Sequence, residues 1–265
     1  MDIARAHRPW RLLLAFFAVG VIFDFASTIY SYFIATPIDL PDVGTVSIAL
    51  WLIFTVVIFR RLFRSLGDGV VPRIVDLLMV ALIFGTGVYL VANSVQLKLW
   101  ILQYNDELSH VTSYPGVDGK LLAIFRLLYF YDEVLGHILI FIPFFTLFVV
   151  AYVCALRPAT GTEPPDSPTQ IPRWGYAAIG LASLYLAWDL VEGQSVLLYL
   201  VVILPVFVAV KLRYRARGYV ATPFSRSIEL ILAVNLVWIF LWFATVGHFR
   251  SLPQVLETLK RAILG

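Results

Sequence analysis

The sequence predicts an all-α, polytopic membrane protein of about seven transmembrane helices in one bundle, N-terminus cytoplasmic and C-terminus outside. Three observations carry this. Hydrophobic residues make up 60% of the 265 and charged residues 14%, with a mean hydropathy of +0.87; soluble domains run nearer half apolar and a quarter charged. The apolar residues fall into runs of about 20, the length a helix needs to cross the hydrocarbon core. Lys and Arg collect in alternate loops, which sets orientation.

The first run, roughly 10–34, follows Arg5, Arg8 and Arg11. It is too long for a signal-peptide core and no small-residue cleavage site follows, so it reads as a retained first helix. Further runs fall at roughly 44–63, 75–102, 121–156, 174–193, 195–213 and 227–249. The fourth is too long for one straight crossing, and Gly119 to Tyr131 reads as a separate interfacial or re-entrant piece. Pro143 lacks an N–H and is expected to kink its helix. Residues 157–173 are rich in Pro, Thr and Gly and read as a flexible cytoplasmic linker. The tail, 251–265, has Leu252, Val255, Leu256, Leu259 and Ile263 beside Lys260 and Arg261 and reads as a short interfacial helix. The whole chain, 1–265, forms a single transmembrane domain without a visible internal repeat.

Orientation follows from the loops. The second holds Arg60, Arg61, Arg64 and Arg73; the sixth holds Lys211, Arg213, Arg215, Arg217 and Arg226; the fourth holds Arg157 and Arg173. The first loop has Asp39 and Asp42 without a basic residue, and the third carries Asp106, Glu107 and Asp118. The formal charge of +3 is ordinary for a membrane protein and gives a nucleic-acid partner no support. Cys154 is the single cysteine, so no disulfide within the chain and no cysteine-based metal site is available.

Against this apolar background the ionisable groups within the runs stand out. Such groups cost a few kcal/mol or more at membrane depth, and they usually face a polar interior or a partner. Asp132, Glu133 and His137 lie in the fourth run, and Asp189 and Glu192 near the end of the fifth. Residues three or four apart share a helix face. Thr86, Tyr89, Asn93, Gln96 and Trp100 make one stripe; Arg126, Tyr129, Glu133 and His137 another, with Asp132 and Gly136 beside it; Ala178, Ala182, Tyr185, Asp189 and Glu192 a third; Gly20, Asp24, Ser27 and Ser31 a fourth. Helix direction places Asn93, Arg126 to His137, Asp189 and Glu192 in the outer half of the bundle, with Asp24 near mid-depth and Ser31 outward. The expectation is a polar cavity opening to the outer leaflet between helices three, four and five.

Such a site suits an integral-membrane enzyme acting on a lipid or isoprenoid-like substrate, by metal-dependent hydrolysis or acid–base chemistry. Glu133, His137, Asp189, Glu192 and Asp132 are its candidate catalytic residues. A divalent metal (zinc, iron or manganese) would be held by His137, Glu133, Asp189 and Glu192. Without a metal, a buried carboxylate serves as acid and a neighbouring carboxylate or imidazole as base. Arg126, Asn93, Tyr129, Tyr185 and Gln96 are candidate substrate-binding groups, with Arg126 placed for a phosphate or carboxylate head group. The expected partners are membrane lipids and a lipid-like small molecule; the sequence leaves the oligomeric state open.

Two further readings belong to other classes. Intramembrane acids and a histidine also describe a proton-coupled transporter or channel. The same residues also suit a membrane-embedded scaffold subunit, with Asp132 and Glu133 paired to Lys98 or Arg126, and Asp189 to Asn93, tying helices together. The seven-helix outline with an acid/histidine site resembles the membrane hydrolase superfamily that includes alkaline ceramidases and adiponectin receptors. That resemblance implies a zinc-dependent amide hydrolase of lipids. The late His-x-x-x-His pair of that superfamily is missing, since helix seven offers only His248, and Ser94 has no histidine four residues on, so no residue is carried over.

Overall fold

Lipid supplies no hydrogen-bond partners, so a chain of this composition must close its backbone bonds within helices. The structure, a computed structural model, describes residues 8–33, 43–66, 72–100, 119–159, 170–192 and 195–246. The helices are α1 (Arg8–Phe33), α2 (Val43–Leu66), α3 (Pro72–Trp100), α4 (Gly119–Tyr129), α5 (His137–Cys154), α6 (Arg173–Glu192), α7 (Val196–Leu198), α8 (Leu204–Ala216) and α9 (Pro223–Val246). Two π-helical turns interrupt them: π1 (Phe130–Gly136) joins α4 to α5, and π2 (Tyr199–Ile203) joins α7 to α8. Two short strands, β1 (Arg157–Pro158) and β2 (Tyr219–Val220), complete the described elements. The expected tail helix, 251–265, lies outside the described residues.

Among the described residues six stretches are long and apolar enough to cross a membrane: Val46–Leu66, Arg73–Ala92, Arg126–Cys154, Arg173–Val191, Val196–Ala216 and Pro223–Thr245. The chain is an all-α, multi-pass membrane protein. Prolines mark the helix starts, where the missing N–H would have no partner anyway: Pro72 opens α3 and Pro223 opens α9. Thr222 caps α9, its Oγ1 accepting the Ser225 N–H at 3.3 Å.

Pro143 does not end or divide its helix; α5 runs through it. The irregularity sits upstream, in π1. A proline removes the N–H that would bond the carbonyl four residues back, here that of Leu139. Gly85 of α3 packs against that carbonyl: an ideal Cβ at Gly85 would stand 2.5 Å from the Leu139 oxygen. Glycine thus admits a close α3–α5 crossing at the point where α5 has a spare acceptor.

In lipid, helix association rests on packing rather than on exclusion of water. The centre here is aromatic. Phe16 and Phe17 of α1 (ring centroids 4.9 Å apart), Phe59 of α2, and Phe144, Phe145 and Phe148 of α5 interlock, with Phe16–Phe59 at 5.1 Å, Phe59–Phe148 at 5.7 Å and Phe144–Phe148 at 5.2 Å. Each such pair contributes about 0.5–1.5 kcal/mol beyond area burial. Around this centre α1 packs most extensively on α2 and α6, α6 on α9, and α3 on π1 and α5.

Contacts fix which helix ends lie together. Trp10 Nε1 donates to Ser227 Oγ at 2.9 Å, joining the starts of α1 and α9. Gly175 near the start of α6 lies against the Trp10 ring. Arg60, late in α2, pairs with Asp76, early in α3, at 2.9 Å. Lys211 of α8 and Tyr152 of α5 both reach Glu229 of α9, at 2.7 and 2.9 Å. The arginine-rich segments therefore share one end of the bundle. There the residues expected to begin a flexible linker are instead tied down: Arg157 pairs with Val220 and Pro158 with Tyr219, while Gly218, at φ 78°, turns the chain from α8 into β2. Residues 160–169 of that segment lie outside the described residues.

Candidate functional site

At the opposite end, the fourth run contains the residues from which a site was expected. Asp132 and Glu133 fall within π1, and His137 is the first residue of α5. The side chains of Asp132 and Glu133 lie outside the described residues, as do those of Asn93, Gln96, Glu192 and Asp24, and so does His248. π-helical turns are rare and occur often at functional sites. Here the turn packs on α3: Gly136 lies against Tyr89, whose Cβ would be 3.1 Å from a Cβ at Gly136. The His137 imidazole meets the Tyr89 ring edge-on at 5.1 Å and stacks on Phe141 at 5.9 Å. Arg126 is exposed on α4, and Tyr129 at its end is half-buried.

The α6 stripe faces elsewhere. Ala178, Ala182 and Tyr185 are buried, and Tyr185 lies against α1, its ring 3.0 Å from where a Cβ on Gly20 would be and 5.8 Å from the Phe17 ring. Asp189, one turn further on, is half-buried and makes an interaction of its own. Phe17 meets both Phe148 of α5, at 5.9 Å, and Tyr185. Within these stripes, His137 meets the α3 interface and Tyr185 the α1 interface. Among the described residues no group of three or more His, Cys, Asp or Glu stands close enough to hold a metal ion.

Two polar features escaped the sequence reading. One is the Lys211–Glu229–Tyr152 clasp, which joins α8, α9 and α5. Its signal is an acid early in the last run and a lysine late in the sixth, both at the basic end and away from the outer-half acids. The other is Asn235 of α9, wholly buried in mid-helix beside Tyr199, with neither amide atom making a well-formed hydrogen bond. The Tyr199 hydroxyl donates to the Leu232 carbonyl at 2.8 Å, and the Ser183 hydroxyl reaches the Ile231 carbonyl at 3.2 Å. These bonds link π2 and α6 to α9.

No solved structure matches this chain. Ceroid-lipofuscinosis neuronal protein 6 from Homo sapiens is 26% identical over 214 residues, 78% of this chain and 66% of that protein. The homologue from Canis lupus familiaris is 23% identical over 214 residues, 78% of this chain and 65% of its own length. The chain therefore spans just under two thirds of the length of these relatives. Neither is named as a lipid hydrolase, which corrects the expectation of an intramembrane site acting on a lipid substrate and with it the hydrolase resemblance. That expectation rested on acids sharing a depth, and depth does not establish a shared face. The sequence model of the ceroid-lipofuscinosis neuronal protein 6 (CLN6) family matches residues 5–254, and the chain belongs to that family.

Proposed function

We propose that the chain is a membrane-embedded scaffold subunit, a multi-span frame whose contribution is to hold helices and partners in place. The observation that carries this reading is the use of the described interior polar groups. Trp10–Ser227, Ser183–Ile231, Tyr199–Leu232 and Lys211–Glu229–Tyr152 each tie one helix to another. Membrane helices use buried polar side chains in this way as interhelical ties. The aromatic wall of Phe16, Phe59, Phe144 and Phe148 fills the centre of the frame.

The proposed frame has seven crossings with the N-terminus cytoplasmic. α1, at 26 residues, is about 39 Å long at 1.5 Å per residue, enough to span with some tilt. The basic end faces the cytoplasm by the Lys/Arg rule. Labelling of single cysteines placed in the first loop and after Ala216, from either side of sealed vesicles, tests this arrangement.

The function itself is tested by the paired exchange Glu133→Gln with Asp189→Asn. A scaffold carrying this change keeps its unfolding temperature, its particle size in mild detergent, and its ability to complement cells lacking the chain. If the exchanged protein folds and assembles normally yet fails to complement, the acids perform chemistry and the scaffold reading falls.

A further inference from the structure

At the basic end, the fold concentrates exposed arginines that pair with no carboxylate among the described residues. Arg213 and Arg215 lie in the last turns of α8, Arg217 follows it, Arg226 lies in the first turn of α9, and all four are exposed. Lys211 alone in this stretch is neutralised, by Glu229 at 2.7 Å. Among the described residues no carboxylate pairs with Arg157, Arg213, Arg215, Arg217 or Arg226.

Like charges repel, yet the backbone gathers these. The β1–β2 pairing sets Arg157 opposite Val220. The Ala159 N–H donates to the Gly218 carbonyl at 2.7 Å, and the Gly218 N–H to the Arg215 carbonyl at 3.0 Å. Arg157 and Arg217, distant in sequence, are thereby carried on one ribbon. The clasp through Glu229 holds the end of α8 against α5 and α9. An array of guanidiniums without a carboxylate partner among the described residues suits an anion from outside the chain.

Position selects which anion. The patch lies where the spans Val196–Ala216 and Pro223–Thr245 end and begin, the depth of lipid head groups. Leu212 (59% exposed) and Val220 (48% exposed) are interleaved with the arginines. Tyr214 and Tyr219 meet edge-on at 5.4 Å, and such aromatics favour the membrane interface. A water-borne acidic peptide offers little to those apolar groups; a phospholipid offers phosphate to the guanidiniums and acyl chain to the leucine and valine. We propose that the last turn of α8, the β1–β2 ribbon and the first turn of α9 form a binding site for anionic phospholipid head groups. Arginine suits phosphate because its planar fork can bind two oxygens at once.

The test uses the full chain in neutral detergent, titrated with short-chain phosphatidylglycerol and, separately, phosphatidylcholine of the same chain length. Near an anionic lipid surface each basic residue contributes roughly fivefold in affinity. The combined change Arg157→Gln, Arg213→Gln, Arg215→Gln and Arg217→Gln should weaken phosphatidylglycerol binding by about fiftyfold or more and leave phosphatidylcholine binding unchanged. Arg61→Gln with Arg64→Gln, at the end of α2, should change it less than fivefold, within about one arginine's share. Replacing the same four by lysine should preserve the preference for the anionic lipid, which decides the matter if the glutamine protein does not fold. Equal affinity of the unaltered chain for the two lipids overturns the proposal. So does an equal loss from the α2 pair, or displacement of phosphatidylglycerol by polyglutamate at matched charge, which would assign the patch to an acidic protein.

Discussion

Gly85→Ala is the sharpest perturbation of the frame. A Cβ added there would stand 2.5 Å from the Leu139 oxygen, 2.6 Å from its carbonyl carbon and 2.9 Å from its Cβ. Ordinary carbon–oxygen contacts of this kind lie at about 3.3–3.6 Å, so the overlap is roughly 1 Å. The obstructing atoms are helix backbone and cannot rotate away. Relief requires α3 and α5 to separate or slide, and α3 is also the main support of π1. Overpacking of this size costs about 1–3 kcal/mol. Loss of the Cα–H contact to the acceptor that Pro143 leaves open adds about 0.5–1 kcal/mol. The better helix propensity of alanine returns about 1 kcal/mol. The net expectation is a destabilisation of about 0.5–3 kcal/mol.

The matched control lies two residues along the same helix. A Cβ at Gly87 meets nothing within 4 Å, so Gly87→Ala should be neutral or stabilise by up to about 1 kcal/mol. Thermal unfolding of both variants in one detergent, followed by tryptophan fluorescence, compares them directly. A Gly85→Ala protein that unfolds at or above the temperature of Gly87→Ala would refute this α3–α5 crossing.

Three other outcomes rest on the same packing. Glu229→Ala strands Lys211 and Tyr152 together and should cost about 1–2 kcal/mol, modest because both charged side chains are partly exposed; adding Lys211→Met should return part of it in a double-mutant cycle. Asn235→Leu removes a buried amide without a good partner, and should raise the unfolding temperature, because a buried polar group without a hydrogen bond costs about 1–3 kcal/mol. The Arg60–Asp76 pair is more than half exposed on both sides, so Arg60→Gln should change stability by less than about 1 kcal/mol, measured by the same melting assay.

The sequence was most informative where the bilayer dictates it. A run of apolar residues has to be a helix in lipid, and its ends must fall where charge and proline begin. The expected run at 174–193 became Arg173–Glu192, and that at 44–63 became Val43–Leu66. Gly136 also revealed its role, since a glycine beside a polar stripe invites a neighbouring helix, and α3 is there through Tyr89. Pro143 lies inside α5 without ending it, and the cost of its missing N–H depends on what else can meet the freed carbonyl. Nothing in the α5 sequence announces that Gly85, more than fifty residues earlier, will do so.

Rotation about the helix axis is a separate matter from depth. Loop charges orient each helix along the membrane normal and so assign every residue a depth, but they leave the helix free to turn about its own axis. His137 meets Tyr89 of α3, and Tyr185 meets Gly20 of α1. Only packing partners fix rotation, and in this chain those partners are small residues opposite large rings: Gly136 under Tyr89, Gly20 under Tyr185, Gly175 under Trp10. Matching glycines to aromatics at equal depth points to the α1–α6 interface through Gly20 and Tyr185 and to the α3–π1 contact through Gly136 and Tyr89, while the α3–α5 crossing rests on Gly85 against backbone. For this family, ties between helices are the first role to test for any intramembrane acid.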